Sequence, residues 1–181
     1  MKVISGKYKG RVLDGFDISG TRPTMDRVKE SLFAMIQNYL DDAVVLDLFA
    51  GSGNLGIEAL SEGATDVYFV DKNKKACKVI QGNLEKLGIV DAKTFCGDFQ
   101  KVLKELALLG VKFDIIFLDP PYQTDFIEKS ILSIVSLDIL AEDGILVAES
   151  DQLEKIIIPD NFFVVKSKKY GDKWVAILKH L

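Results

Sequence analysis

From residue 43 onward, short apolar runs of strand length alternate with longer stretches whose apolar residues recur at helical spacing. Ala43–Phe49 (AVVLDLF), Asp66–Asp71 (DVYFVD), Phe113–Leu118 (FDIIFL) and Gly144–Glu149 (GILVAE) read as buried strands, and Ala92–Cys96 as a weaker one. Between them Asn54–Glu62, Lys74–Leu87, Phe99–Leu109 and a segment from about Thr124 to Val135 read as helices. Within Lys74–Leu87, for example, Ala76, Val79, Ile80, Leu84 and Leu87 fall on one helical face. Alternation of this kind predicts a parallel sheet with helices on both faces.

The two ends depart from the pattern. Asn161–Ser167 and Lys173–Lys179 are strand-like runs joined by the tight turn Tyr170-Gly171-Asp172, which predicts an antiparallel hairpin. Lys2–Val12 reads as a short hairpin and Met25–Leu40 as an amphipathic helix. The expected architecture is therefore α/β: a doubly wound, mostly parallel sheet with a C-terminal antiparallel hairpin and an N-terminal hairpin-and-helix appendage. The expected division is residues 1–40 for the appendage and 41–181 for the core.

A chain of 181 residues with 48% hydrophobic and 28% charged residues suits one globular domain. No apolar run approaches the ~20 residues of a membrane span. The opening MKVISGKYKGR lacks the apolar core of a secretion signal, which predicts a cytoplasmic protein. Cys77 and Cys96 form no Cys-x-x-Cys pair, and both are expected as small core fillers. The one histidine, His180, stands next to the last residue, which argues against a histidine triad or a histidine-rich metal site. No metal is expected, and chemistry is left to carboxylates, backbone groups, aromatic rings or an organic cofactor.

Net charge is −4, but its distribution is uneven. Lys2, Lys7, Lys9 and Arg11 open the chain with no acid among them, and Arg22, Arg27 and Lys29 follow. Lys166, Lys168, Lys169 and Lys173 cluster near the other end. Charge alone favours solvated ends on a soluble domain.

The first predicted strand runs into Gly51-Ser52-Gly53-Asn54-Leu55-Gly56, a Gly-x-Gly-x-x-Gly turn, and Asp71 ends the second strand 71 − 51 = 20 residues later. This is the spacing of a nucleoside-binding loop, with the acid placed for ribose hydroxyls. Asp47, four residues before Gly51, narrows the choice of ligand. A carboxylate there would repel the pyrophosphate of NAD, but would attract the ammonium of S-adenosylmethionine (SAM). On this stretch the chain resembles the class I SAM-dependent methyltransferases. That resemblance places Asp47, Phe49, Ala50, Gly51, Gly53, Asp71, Asp98 and Phe99 around the cofactor, with Asp98 on the adenine amino group and Phe99 flanking the ring. Asp98 also reads as an ordinary helix N-cap, and the two roles are compatible.

Asp119-Pro120-Pro121-Tyr122 follows the fourth strand. Two prolines fix the backbone and remove two N–H donors, leaving carbonyls, a carboxylate and an aromatic ring. A site made of acceptors suits an amino group with two N–H bonds to give. Asp119 and the Pro120 carbonyl can hold such an amine, and Tyr122 offers a face for a base taken out of its stack. Asp119, Pro120, Pro121 and Tyr122 are therefore the candidate catalytic residues. A plain proline-rich turn is the alternative.

Taken together, these motifs make nearly the whole chain resemble the bacterial 16S ribosomal RNA (guanine-N2) methyltransferases that modify guanine 966. The resemblance is carried by Gly20-Thr21-Arg22-Pro23-Thr24-Met25-Asp26-Arg27-Val28-Lys29-Glu30, by Leu46 to Leu60, by Leu118 to Tyr122 and by Ile4 to Arg11. It departs at Asp71, where relatives often carry Glu. It implies methylation of the exocyclic N2 amine of a guanine, SAM as cofactor, and 16S ribosomal RNA as partner, alone or in an assembling small subunit. It also makes Lys7, Lys9, Arg11, Arg22 and Arg27 candidate RNA contacts. A monomer with no membrane association is expected. An amino-methyltransferase of adenine or cytosine in RNA or DNA is the alternative, with an NAD-dependent oxidoreductase and a non-catalytic RNA-binding module behind it.

Overall fold

Apolar residues on both faces of β1 (Val44–Leu48), β2 (Asp66–Asp71) and β4 (Phe113–Leu118) require cover on both sides, and they receive it. The computed structural model describes residues 1–15, 26–90, 92–121 and 125–181. The remaining elements are α1 (Asp26–Ile36), α2 (Asn54–Ser61), α3 (Lys74–Leu87), β3 (Lys93–Cys96), α4 (Phe99–Leu108), α5 (Phe126–Leu137), β5 (Leu140–Ser150), β6 (Phe162–Tyr170) and β7 (Lys173–His180). They build a seven-stranded sheet in the order β3-β2-β1-β4-β5-β7-β6. The first five of these are parallel, β7 pairs antiparallel with β5, and β6 pairs antiparallel with β7.

Strand order reverses between β1 and β4. From β1 the chain winds outward through β2 and β3, then returns to β4 on the other side. Crevices for ligands open at the carboxyl ends of strands at such a switch point. One layer of core packs Val45, Phe69, Phe117 and Val147 under α1, α2 and α3, and the other packs Leu48, Val70, Leu118 and Ala148 under α4 and α5.

The N-terminal segment forms a small hairpin closed by one bridge, Lys2 to Val12, around a 3-10 turn at Gly6–Tyr8. It lies along α2. Ile4 and Ser5 amides donate to Glu58, and the Tyr8 amide donates to Ser61 Oγ. Helix α1 sets Leu32, Phe33 and Ile36 into the core, with the Phe33 ring 5.7 Å from that of Phe117. Lys29 shares this face at helical spacing and is fully buried. Its ammonium lies 2.6 Å from Glu58 and 2.8 Å from both Asn54 Oδ1 and the Lys2 carbonyl. Lys29 is therefore an internal tie between α1, α2 and the hairpin.

Several boundaries differ from the sequence expectation. β5 begins at Leu140, because Ala141-Glu142-Asp143-Gly144 continues the strand across an irregular pairing with Phe113 and Ile115. β6 extends to Tyr170. Cys77 is buried as expected, but Cys96 is exposed and fills no core position. Among the described residues no helix is long and apolar enough to cross a membrane.

Candidate active site

A cleft of about 610 Å³ opens at the switch point, a volume ordinary for a small-molecule site. Its floor is the turn between β1 and α2. Gly51 and Gly53 adopt positive φ of 57° and 78° there, which a side chain would strain. Phe49 also has positive φ, at 69°. This strained backbone is held by the Ala50 amide donating to the Val70 carbonyl at 2.9 Å. Gly56 lies where helix α2 crosses β2, and a Cβ there would run into the Phe69 ring. All three glycines of the loop thus have geometric reasons to be glycine.

Asp71 closes the turn. Its Oδ2 accepts from the Gly51 amide at 2.9 Å and its Oδ1 from the Asn73 amide at 2.8 Å. A carboxylate offers about four acceptor positions, so two amides do not exhaust it. Asp47 lies under the same turn, 2% exposed, and accepts from the Gly56 amide in the first turn of α2 at 2.8 Å. Burial pushes its pKa up to about 7, the Gly56 amide opposes this, and Asp119 and Asp71 add to the rise. A cation in the cleft would relieve that cost.

Aromatic rings line the far wall. Phe49 lies 5.1 Å from Phe99 and 5.8 Å from Phe126, and Phe99 lies 5.5 Å from Phe126. Asp98 is the N-cap of α4, accepting from the Lys101 amide at 3.3 Å, and it also faces the cleft. Both readings of Asp98 are thus compatible with its position.

Asp119 leaves the end of β4 with its side chain 23% exposed and lines the cleft together with Pro121, while Pro120 is buried behind them. Beside Asp119 stand two groups that the motifs did not mark. Glu149, from β5, is 1% exposed, and Lys173, from β7, reaches 3.1 Å from Glu149 Oε2 and 4.0 Å from Asp119 Oδ1. Burial raises the Glu149 pKa to about 8, Asp119 and Asp47 push the same way, and Lys173 opposes them. Ile145, Val147 and Glu149 share one face of β5, with Ile145 and Val147 in register with Ile115 and Phe117, so Glu149 falls beside Asp119 just past the end of β4. Phe126 had no sequence signal beyond a helix start.

The cleft thus gathers Asp47, Phe49, Ala50, Gly51, Asp71, Asp98, Phe99, Asp119 and Pro121. Tyr122 and Arg22 lie outside the described residues. Lys7, Lys9 and Arg11 do not line the cleft. Their hairpin turn rests on Ser61 at the far end of α2, and Arg11 donates to the Lys86 carbonyl in the last turn of α3. Arg27 is exposed on α1. His180 ends β7 at the opposite edge of the sheet, its ring 4.2 Å from that of Phe162.

Residues 1–179 match the model of a protein family described as conserved hypothetical protein 95. The chain belongs to that family. Its likeness to YlbH of Bacillus subtilis (strain 168), provisionally named an rRNA methyltransferase, is 41% identity over 183 residues, covering 99% of this chain and 98% of YlbH. It is 33% identical to ribosomal RNA small subunit methyltransferase D of Haemophilus influenzae over 179 residues, covering 94% of this chain and 89% of the relative. A solved structure of Escherichia coli yhhF, provisionally named a methyltransferase, superposes with a TM-score of 0.89 at 29% identity, covering 99% and 97% of the two chains. The conserved hypothetical protein 95 family is thus where the sequence resemblance and the fold meet.

Proposed function

We propose that this protein methylates the exocyclic N2 amine of a guanine in small-subunit ribosomal RNA, with SAM as methyl donor. The observation that carries the reading is the meeting of an acidic, aromatic nucleoside cleft with Asp119 and Pro121 at one switch point. The similarity to ribosomal RNA small subunit methyltransferase D supports the choice of substrate. A cytoplasmic protein acting as a monomer fits the same reading.

The cleft's own residues fit SAM. Asp47 is matched to a ligand with a cationic group, and a pyrophosphate would meet repulsion there. Asp71 keeps acceptor capacity for ribose hydroxyls, and the Phe49–Phe99–Phe126 wall offers flat apolar surface for adenine. SAM supplies an electrophilic methyl group on sulfur.

The chain supplies positioning. The lone pair of a base amine is delocalised into the ring, so the nitrogen is a weak nucleophile. Asp119 accepts one N–H and the Pro120 carbonyl the other, and Tyr122 stacks the extruded base. Holding both N–H bonds on fixed acceptors frees the lone pair to face the donor, and orientation carries most of the acceleration. Residues 1–40 act as an RNA-contacting unit, with Lys7, Lys9, Arg11, Arg22 and Arg27 on phosphates. The test is transfer of labelled methyl from SAM to an unmodified 16S RNA transcript and to small subunits reconstituted from it. Label in RNA supports the function. SAM binding with no label in either substrate, across a range of magnesium and salt, contradicts it.

A further inference from the structure

The charged residues at the carboxyl edge of the sheet follow strand order: Asp71 of β2, Asp47 of β1, Asp119 just past the end of β4, Glu149 of β5 and Lys173 of β7. Among the described residues of these strands, Lys173 is the one cation in this row. Its side chain is 13% exposed, which is little for a lysine. It is seated on Glu149 Oε2 at 3.1 Å, and from that seat its ammonium stands 4.0 Å from Asp119 Oδ1. Glu149 Oε1 is buried with no hydrogen-bond partner.

We propose that Lys173, seated on Glu149, is a positioning residue that keeps the Asp119 carboxylate ionised and fixed in the cleft. The inference rests on the amine-accepting role proposed for Asp119. Asp47 on β1 and Asp71 one strand further out disfavour a charge on Asp119 when they are ionised, and the cleft holds Asp119 only 23% exposed. An opposite charge within about 4–6 Å is what holds a carboxylate ionised against such neighbours. The state of Glu149 decides how much of the lysine charge is available. Burial lifts Glu149 to about 8, so near neutral pH it tends to keep its proton and neutralises less of the lysine charge, which stands 4.0 Å from Asp119. Ionisation matters chemically. A carboxylate is an acceptor only, as an amine N–H requires, whereas a carboxylic acid presents its own O–H donor.

The test reads the Asp119 carboxyl directly. Its carbon resonance is titrated by NMR in cofactor-free protein, for wild type, Lys173→Met, Lys173→Arg and Glu149→Gln. Lys173→Met should raise the Asp119 midpoint by about 1–3 pH units. Lys173→Arg should return it toward wild type. Glu149→Gln, which mimics the protonated acid, should leave the midpoint nearly unmoved. Lys173→Gln keeps a donor for Glu149 while dropping the charge, and it carries the same test if the methionine variant does not fold. In methyl transfer to the 16S transcript, the acid limb of kcat should move up with the Asp119 midpoint, while KM for SAM stays within about twofold. A folded Lys173→Met or Lys173→Gln protein with an unmoved Asp119 midpoint overturns the proposal, since a merely structural lysine would change stability alone. A protein that transfers no methyl sinks the proposed function, whereas the titration midpoints still decide whether Lys173 controls the Asp119 charge.

Discussion

Asp71 accepts the Gly51 amide at 2.9 Å, so the acid that ends β2 also holds the glycine turn that follows β1. One side chain therefore shapes the loop and faces the cleft. Asp71→Ala removes both functions. It should weaken SAM binding by roughly 1–3 kcal/mol, the usual cost of orphaning polar partners. Asp71→Asn can still accept one of the two amides through its single carbonyl oxygen and should lose less. Calorimetric titration of SAM into the three proteins checks the order, and equal affinities would remove Asp71 from the site.

Asp47 sets a pH dependence whose sign can be worked out. Its folded pKa of about 7 lies above the ordinary 3.8, so the native state keeps a proton that the unfolded chain has lost. This contribution to stability is complete below about pH 4 and lost as pH rises through about 7. Asp47→Asn still offers an acceptor to Gly56 and buries no charge. Relative to wild type it should gain stability from about pH 4 to 8, by up to about 4 kcal/mol. Exposed Asp125 and Asp138 and half-buried Asp151 shift the opposite way through their lysines, but they are present in both proteins and cancel. Urea titrations at each pH give the difference. A flat difference would place Asp47 outside the buried charge cluster.

A cationic ligand beside Asp47 should lower its pKa and expel its proton. SAM affinity should then rise as pH climbs toward about 7 and level off above it, with net proton release on the acid side, seen as a calorimetric enthalpy that varies with buffer ionisation. The dependence should vanish in Asp47→Asn.

Much of the fold was legible because apolar periodicity and turn residues are local signals. Phe113–Leu118 and the Gly51–Gly56 turn could be placed from their own sequences. Partners from distant strands could not. Glu149 looks like the end of an apolar strand and Lys173 like the start of a hairpin strand, and nothing local says that their ends meet. Lys29 groups in sequence with the positive charges of the N-terminal segment, yet its spacing from Leu32, Phe33 and Ile36 puts it on the buried face of α1. In sequence this strand starts only at Gly144, because Glu142 and Asp143 carry no strand period, and it is the Leu140 pairing with Phe113 that extends β5 back to Leu140.

That internal lysine gives a stability prediction. Lys29→Met leaves Glu58 buried without its cation, although the Ile4 and Ser5 amides remain. Breaking a buried pair on one side costs about 3–5 kcal/mol. A drop of this size in urea unfolding, recovered in part by adding Glu58→Gln, is expected. A loss near zero would mean the N-terminal hairpin is held by its other contacts.

Gly56→Ala should also destabilise, by about 1–3 kcal/mol, because the new methyl meets Phe69 and Val67 with no room to spare. Thermal melts with and without SAM separate this packing cost from any loss of ligand. Unchanged melting would contradict the tight α2–β2 crossing.

The most direct measurement is nucleoside mass spectrometry of 16S RNA after reaction with SAM, run in parallel for wild type and Asp119→Ala, with SAM affinity measured for both. N2-methylguanosine should accumulate with the wild type. Asp119→Ala should bind SAM nearly as well and form the product slower by orders of magnitude. Methyl groups on another atom, or an Asp119→Ala enzyme as fast as the wild type at saturating SAM, would contradict the assignment of chemistry to this cleft.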